Sequence, residues 1–275
     1  MSTRMAGVIG WPIEHSKSPL LHGYWLDELN IDGDYTKVAA APGDFEATVR
    51  NLMADGWRGA NVTIPHKEAA LAMADEVSDT AKAIGAANTL IFTEDGKIHA
   101  DNTDGFGFVE NLIDRGGQKW LPQEPATIFG AGGASRAIIY ALLQAGAPEI
   151  RLTNRTKSRA DTLAGVFGTN VRVVDWNDKT AAIDGAGLIV NTTSLGMKDQ
   201  APLEVDFAQA PQYALATDIV YIPLETPFLK SAAKAGLATV DGLGMLIHQG
   251  RPGFEAWFGK APIADAKLRE LLLAA

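Results

Sequence analysis

The chain has 275 residues, with 24 lysines and arginines against 33 aspartates and glutamates, a formal charge of −9 and no cysteine. That length is long for one α/β core and comfortable for two domains, and the acidic balance argues against a nucleic-acid binder. The missing thiols exclude disulfides, thiolate metal sites and a cysteine nucleophile. No run is long enough to span a bilayer and no basic-then-apolar leader is seen, which fits a cytoplasmic protein with no membrane partner. The five histidines are scattered without HExxH spacing, so no metal is expected.

Glycine and proline punctuate alternating strand and helix patterns, the mark of an α/β chain with mostly parallel strands. From the N-terminus, residues 6–9, 35–39, 60–64 and 89–92 are predicted strands. Between them Leu20, Leu21, Tyr24, Trp25 and Leu29, then Phe45, Val49, Leu52 and Met53, fall at helical spacing. Ser18 is placed to cap the first of these helices, with Pro19 in its first turn. Residues 105–113 read as a connecting helix, after which Gly116, Gly117, Pro122 and Pro125 loosen the chain.

The second half opens with an apolar strand at 126–129 that runs into Gly130-Ala131-Gly132-Gly133-Ala134-Ser135. A helix through Ala137, Ile138, Ile139, Ala141, Leu142 and Leu143 follows. Further strands are predicted at 150–153, 171–174, 188–190, 215–220 and 238–240. With the first they make six, the number of a complete doubly wound Rossmann domain. Residues 243–258 and 264–273 read as helices surplus to that domain and returning to the first one. The predicted division is 1–104 plus 243–275 for a substrate-binding domain and 105–242 for a dinucleotide domain. A cleft between two such domains suits a small substrate facing a cofactor.

A glycine turn between strand and helix collects backbone N–H groups and a helix N-terminus at one point, which suits a pyrophosphate. Ser135 stands where a third Gly or Ala is usual. The second strand ends in Asn154-Arg155-Thr156, with Lys157, Ser158 and Arg159 behind it, where an NAD-binding unit usually carries an acid for the ribose 2′-OH. An amide, a guanidinium and a hydroxyl welcome a 2′-phosphate instead, so NADP is the expected cofactor.

Four segments place polar groups beyond strand ends, where open α/β sheets bind ligands. They are His15-Ser16-Lys17-Ser18-Pro19, Asn61-Val62-Thr63-Ile64-Pro65-His66-Lys67, Ala86-Ala87-Asn88-Thr89 and Asn102-Thr103-Asp104-Gly105. Taken singly each has a plain reading as a helix cap, a strand residue or a solvated lysine. Together they form a set of small hydrogen-bonding groups, all outside the cofactor domain. Lys67 and Asp104 are its proton-handling pair. A lysine at a helix start faces the positive end of the dipole, while a nearby Asp104 would stabilise the cation, so the residue that moves the proton stays open between the two.

These segments, with Gly10-Trp11-Pro12-Ile13-Glu14, Gly85-Ala86-Ala87-Asn88-Thr89, Asn191-Thr192-Thr193-Ser194-Leu195-Gly196-Met197, Asp218-Ile219-Val220-Tyr221-Ile222-Pro223 and Asp241-Gly242-Leu243-Gly244-Met245, continuing to Gln249, make the chain resemble the shikimate dehydrogenases over essentially its whole length. The resemblance implies reversible NADPH-linked reduction of the 3-keto group of 3-dehydroshikimate, on the route to aromatic amino acids. By matching motif positions it places Ser16, Ser18, Thr63, Lys67, Asn88, Asp104, Tyr221 and Gln249 around shikimate. Lys67 is then the acid–base residue, with Asp104 beside it. It further implies that Gly130, Ala131, Gly132, Gly133 and Ala134 hold the pyrophosphate and Asn154 to Arg159 the 2′-phosphate. Asp79, Ile219 and Gly242 would lie near the nicotinamide, with Met197 and Met245 lining the same cleft on the cofactor side.

Two other readings are open. Quinate/shikimate dehydrogenases share most of these motifs and often accept NAD. A non-catalytic sensor of shikimate or quinate would keep the fold but lose the proton-handling pair or the phosphate turn, and this chain retains both. A homodimer is compatible with the resemblance.

Overall fold

The computed structural model describes residues 3–275 and divides into two units, Met1–Thr103 with Gln249–Ala275 and Asp104–His248. The first unit begins with β1 (Arg4–Gly10), α1 (Ser18–Glu28), β2 (Gly33–Ala39), α2 (Phe45–Ala54) and β3 (Gly59–Val62). It continues with α3 (Lys67–Ala72), β4 (Glu76–Val77), α4 (Asp79–Ile84), β5 (Thr89–Phe92) and β6 (Ile98–Asp101). The strands pair in the order β2-β1-β3-β5-β6-β4. Parallel pairs dominate, with one reversal that the sequence reading missed: β5 runs antiparallel to both β3 and β6.

Phe45, Val49 and Leu52 lie on one face of α2 at helical spacing. They pack with Ile9, Val62, Leu90 and Ile98 in the core of this unit. Ser18 does not cap α1. The capping position is Lys17, without a side-chain cap, and Ser18 is already helical. Its N–H goes back to Ser16 Oγ at 3.3 Å, so the hydroxyl two residues upstream takes the orphan donor. The strand predicted at 60–64 stops at Val62, because His66 N–H turns back onto Thr63 O at 3.0 Å.

The second unit carries α5 (Asp104–Asn111), β7 (Ala126–Phe129), α6 (Gly133–Gln144), β8 (Ile150–Thr153), α7 (Lys157–Phe167) and β9 (Val171–Val174). It continues with α8 (Lys179–Ala182), β10 (Leu188–Asn191), β11 (Leu215–Asp218), α9 (Pro227–Lys234) and β12 (Ala238–Val240). These strands form an all-parallel sheet in the order β12-β11-β10-β7-β8-β9. In the unit's own order this is the doubly wound arrangement, with its direction of winding changing between β7 and β10. Every residue of β7, β10 and β11 is buried, as a sheet covered on both faces requires. One face packs Ile138, Leu142, Leu152 and Met245, and the other Phe129, Ile189, Phe207 and Phe228. The strand predicted at 215–220 ends at Asp218, whose Oδ1 accepts the Val220 N–H at 2.9 Å and bends the chain out of the sheet.

The final helices are α10 (Leu243–Phe258) and α11 (Ala266–Ala274). The division between units falls inside α10, with residues 243–248 in the second unit and Gln249–Ala275 in the first. There Trp257 Nε1 donates to Leu90 O at 2.9 Å, Trp25 Nε1 to Ile263 O at 2.9 Å and Lys17 Nζ to Leu272 O at 2.8 Å. Among the described residues no helix is long and apolar enough to cross a membrane.

Candidate active site

In the first unit the expected polar segments leave the sheet along one rim. β1 and β3 end there, and the reversal of β5 makes that strand begin there. Ile9 is thus in register with Val62, Asn61 with Thr89, and Thr89 with Asp101. Ser16 N–H donates to Ile13 O at 3.1 Å, folding the loop after β1 so that Ser16 and Ser18 both stand at the start of α1. Thr63 follows β3 directly, its N–H on Ile9 O at 2.9 Å.

His66, 2% exposed, sets its Nε2 2.8 Å from Ala40 O and stacks its ring on Phe45 at 4.6 Å. It pins the loop immediately before Lys67, the half-buried first residue of α3. The Lys67 carbonyl accepts the Ala87 N–H at 2.9 Å and so ties the helix start to the loop that carries Asn88. Asn88 is 4% exposed, and its Oδ1 accepts Thr103 N–H at 2.9 Å. Thr103 Oγ1 in turn donates to Gln249 O at 2.8 Å. The structure therefore gathers Ser16, Ser18, Thr63, Lys67, Asn88 and Gln249 into the first unit. Asp104, 4% exposed and the first residue of α5, opens the second, as the next residue after Thr103.

In the second unit the carboxyl ends of β7 and β10 flank the change of winding, where such sheets bind ligands. Gly130 leaves β7 with φ +111° and its N–H on Thr153 O at 2.8 Å. A Cβ there would sit 2.7 Å from Thr192 Oγ1, so only glycine fits. Ala131 N–H donates to Asn154 Oδ1 at 3.1 Å, and Asn154 Nδ2 to Thr156 O at 2.8 Å. Asn154 thus braces the glycine turn against the basic turn. A Cβ on Gly132 or Gly133 would meet nothing within 4 Å. The turn therefore opens at the first turn of α6, whose leading N–H groups have no partner within the helix.

Arg155, Thr156, Lys157, Ser158 and Arg159 are exposed together, with Lys157 Nζ held to Asp161 at 2.7 Å. This set of guanidinium, hydroxyl and ammonium groups fits the phosphates of NADP. Gly242 admits no side chain, since a Cβ would lie 2.5 Å from Ile219 O. It brings the ends of β12 and β11 together beside Ile219. Tyr221 also belongs to this unit, half-buried, and its burial raises the phenol's pKa. Met245 packs in the core at 8% exposed, whereas Met197 is 46% exposed. Asp79, the exposed first residue of α4, belongs to the first unit, unlike the other expected cofactor residues.

Sequence reasoning gave no role to Asn191, Thr192, Asp218 and Thr226. Asp218 Oδ2 accepts Asn191 Nδ2 at 3.0 Å and Thr226 Oγ1 at 2.7 Å. Burial lifts its carboxyl to about 6, although these bonds pull it down. The clasp joins the end of β10 and the residue capping α9 to the end of β11, just before Ile219 and Tyr221. Its sequence signal is a polar residue closing each of two otherwise buried strands, at Asn191 and Asp218.

Residues 8–90 match the shikimate dehydrogenase substrate binding domain. Residues 117–212 match the shikimate/quinate 5-dehydrogenase family and 242–266 the shikimate 5′-dehydrogenase C-terminal domain. The chain is 53% identical over 270 residues to a shikimate dehydrogenase (NADP(+)) of a Ruegeria species, covering 98% of each protein. It superposes on the shikimate 5-dehydrogenase of Thermus thermophilus, solved with NADP(H) and shikimate, with TM-score 0.87, 36% identity and 98% of each chain covered. The quinate dehydrogenase of Corynebacterium glutamicum, solved with NAD, gives TM-score 0.91 at 29% identity, with 99% of each chain covered.

Proposed function

The chain belongs to the shikimate dehydrogenase family, and from that premise we propose that it interconverts shikimate and 3-dehydroshikimate with NADP in the biosynthesis of aromatic amino acids. The observation that carries this reading is the single rim of the first unit. It collects two serine hydroxyls, a threonine, an amide and one lysine. Hydroxyl and amide groups suit a small polyol acid, and one cation suits the reacting centre.

Residues 1–104 with 243–275 are the substrate domain in this reading and 105–242 the cofactor domain. Ser16, Ser18, Thr63, Asn88, Tyr221 and Gln249 hold the substrate. Gly130 to Ala134 take the pyrophosphate of NADP and Asn154 to Arg159 its 2′-phosphate. Asp79, Ile219, Gly242 and Met245 flank the nicotinamide. When bound, NADP supplies the hydride acceptor. The Lys67–Asp104 pair takes the proton from the 3-hydroxyl as the carbon loses its hydride, and returns it in the reverse reaction. Fixed donors around the substrate hold the reacting carbon in one pose, which lowers the entropic part of the barrier.

The enzyme is proposed to be cytoplasmic, and light scattering of the purified protein distinguishes a monomer from a homodimer. The deciding experiment assays shikimate and quinate, each with NADP and with NAD. Shikimate with NADP should give the highest specificity constant. A higher value for quinate with NAD would overturn the assignment in favour of a quinate dehydrogenase.

A further inference from the structure

The hydrogen bonds beneath the substrate rim form one directed chain. Tyr35 OH donates to Asn61 Oδ1 at 2.6 Å, which fixes the Asn61 amide with Nδ2 outward. Asn61 Nδ2 then donates to Asn88 O at 3.2 Å and to Thr89 Oγ1 at 3.3 Å. Thr89 Oγ1 passes its own proton to Asn88 Oδ1 at 2.9 Å. Asn88 Nδ2 donates to Thr103 Oγ1 at 3.1 Å, and the Thr103 hydroxyl has Gln249 O at 2.8 Å as its nearer acceptor and Asn88 Oδ1 at 3.2 Å as its farther one. With Thr103 donating to the nearer acceptor the chain runs in one direction, so the orientation at one end bears on the next.

Tyr35 stands at the head of this chain, 3% exposed, with its ring stacked on His22 at a centroid distance of 3.8 Å. His22 is itself buried among Trp25, Phe254 and Trp257. The phenol ring is therefore held in place by packing, and its O–H is directed to Asn61 Oδ1. Ser18 is a further hydrogen-bonding neighbour of the same phenol.

We propose that Tyr35 is a positioning residue for the substrate. Its hydroxyl, acting through Asn61, Thr89 and Thr103, reinforces the orientation of the Asn88 amide that the Thr103 N–H also holds at 2.9 Å, and supports the position of the Gln249 backbone. The proposal rests on the reading of Asn88 and Gln249 as shikimate ligands. All of the chain's members lie in the first unit and none is among the expected cofactor residues.

The test is Tyr35→Phe, which keeps the stacked ring and removes only the oxygen, with Thr103→Val as a second break near the other end. Kinetics are measured with shikimate and NADP varied separately. Each variant should raise KM for shikimate roughly ten-fold, the scale of an unmet buried hydrogen bond, and leave KM for NADP within about two-fold. The double variant should be little worse than either single one, because both cut the same chain. An unchanged shikimate KM in a folded variant, parallel rises in both KM values, or multiplicative effects in the double variant would overturn the proposal. If Tyr35→Phe does not fold, Thr103→Val with intact shikimate affinity is sufficient to reject it. Failure of the wild-type protein to oxidise shikimate at all would instead reject the functional reading beneath it.

Discussion

Replacing Ser135 by Ala tests how the phosphate turn is held. Gly132 N–H donates to Ser135 Oγ at 3.1 Å, and Ser135 Oγ lies 2.6 Å from Thr192 Oγ1. Thr192 Oγ1 gives its proton to Phe129 O at 2.8 Å, so Ser135 must be the donor in the bond between the two hydroxyls. Alanine removes both bonds of Ser135. Gly132 is exposed, so its N–H can recover a water, whereas Thr192 is buried and its Oγ1 cannot. One net hydrogen bond of about 1 kcal/mol plus a partial desolvation penalty gives a loss of roughly 1–2 kcal/mol. For a unit of this size that lowers the thermal midpoint by about 2–8 °C. The freed turn should also raise KM for NADP several-fold and leave KM for shikimate unchanged. Calorimetry and initial rates with each substrate varied decide it. A variant with wild-type melting and wild-type NADP kinetics would refute the argument that Ser135 shapes the turn.

Arg155→Ala should weaken NADP by about 1.5–3 kcal/mol, the scale of a charge-assisted hydrogen bond, and barely affect NAD, in steady-state kinetics with both cofactors; equal losses would remove Arg155 from the 2′-phosphate site. Lys67→Ala should lower turnover by roughly two to four powers of ten while shikimate affinity changes less, and near-normal turnover with poor affinity would make Lys67 a binding residue only. Asp218 titrates at about 6 in the fold against 3.8 for a free carboxyl. The folded state therefore keeps a proton that the unfolded chain has lost between those values. Its contribution favours the fold below about pH 4 and is lost as pH rises through about 6, a change of roughly 3 kcal/mol. Denaturant titrations from pH 4 to 7 should show this decline in the wild type relative to Asp218→Asn, and parallel profiles would contradict the assignment.

The second unit is the more legible half because its central strands β7, β10 and β11 are buried on both faces. The run 126–129 is mostly apolar and wholly buried, 150–153 alternates Ile150 and Leu152 with Arg151 and Thr153, and the predicted bounds of both match β7 and β8. The first unit hides more. β4 is two residues long, and β6 alternates buried Ile98 and Ala100 with half-buried His99 and Asp101. The Asp95-Gly96 pair between β5 and β6 was a hairpin signal that went unread. Without it the reversal of β5 was invisible, and so was the reason Asn88 and Asp101 reach one rim. Ser135 read from sequence as a missing glycine, yet it is a buried hydroxyl with a hydrogen-bonding task. Tyr35 read as an ordinary strand residue. Its partners come from β3, β5 and the chain beyond β6, and no local pattern announces such a meeting.

The hairpin of β5 and β6 has its two ends at opposite sides of the first unit's sheet. Its open ends carry Asn88 and Asp101 to the rim proposed for the substrate, and its turn lies about 14 Å away, four strand residues along. Glu94 in that turn is 94% exposed and makes only a 4.0 Å approach to Arg58. Because the sequence contains no cysteine, Glu94→Cys would furnish the sole thiol of the molecule. A fluorophore or spin probe attached there would sit at the far end of the hairpin that Asn88, a proposed substrate ligand, immediately precedes. It would report on the hairpin from the solvent side and leave the proposed substrate rim clear.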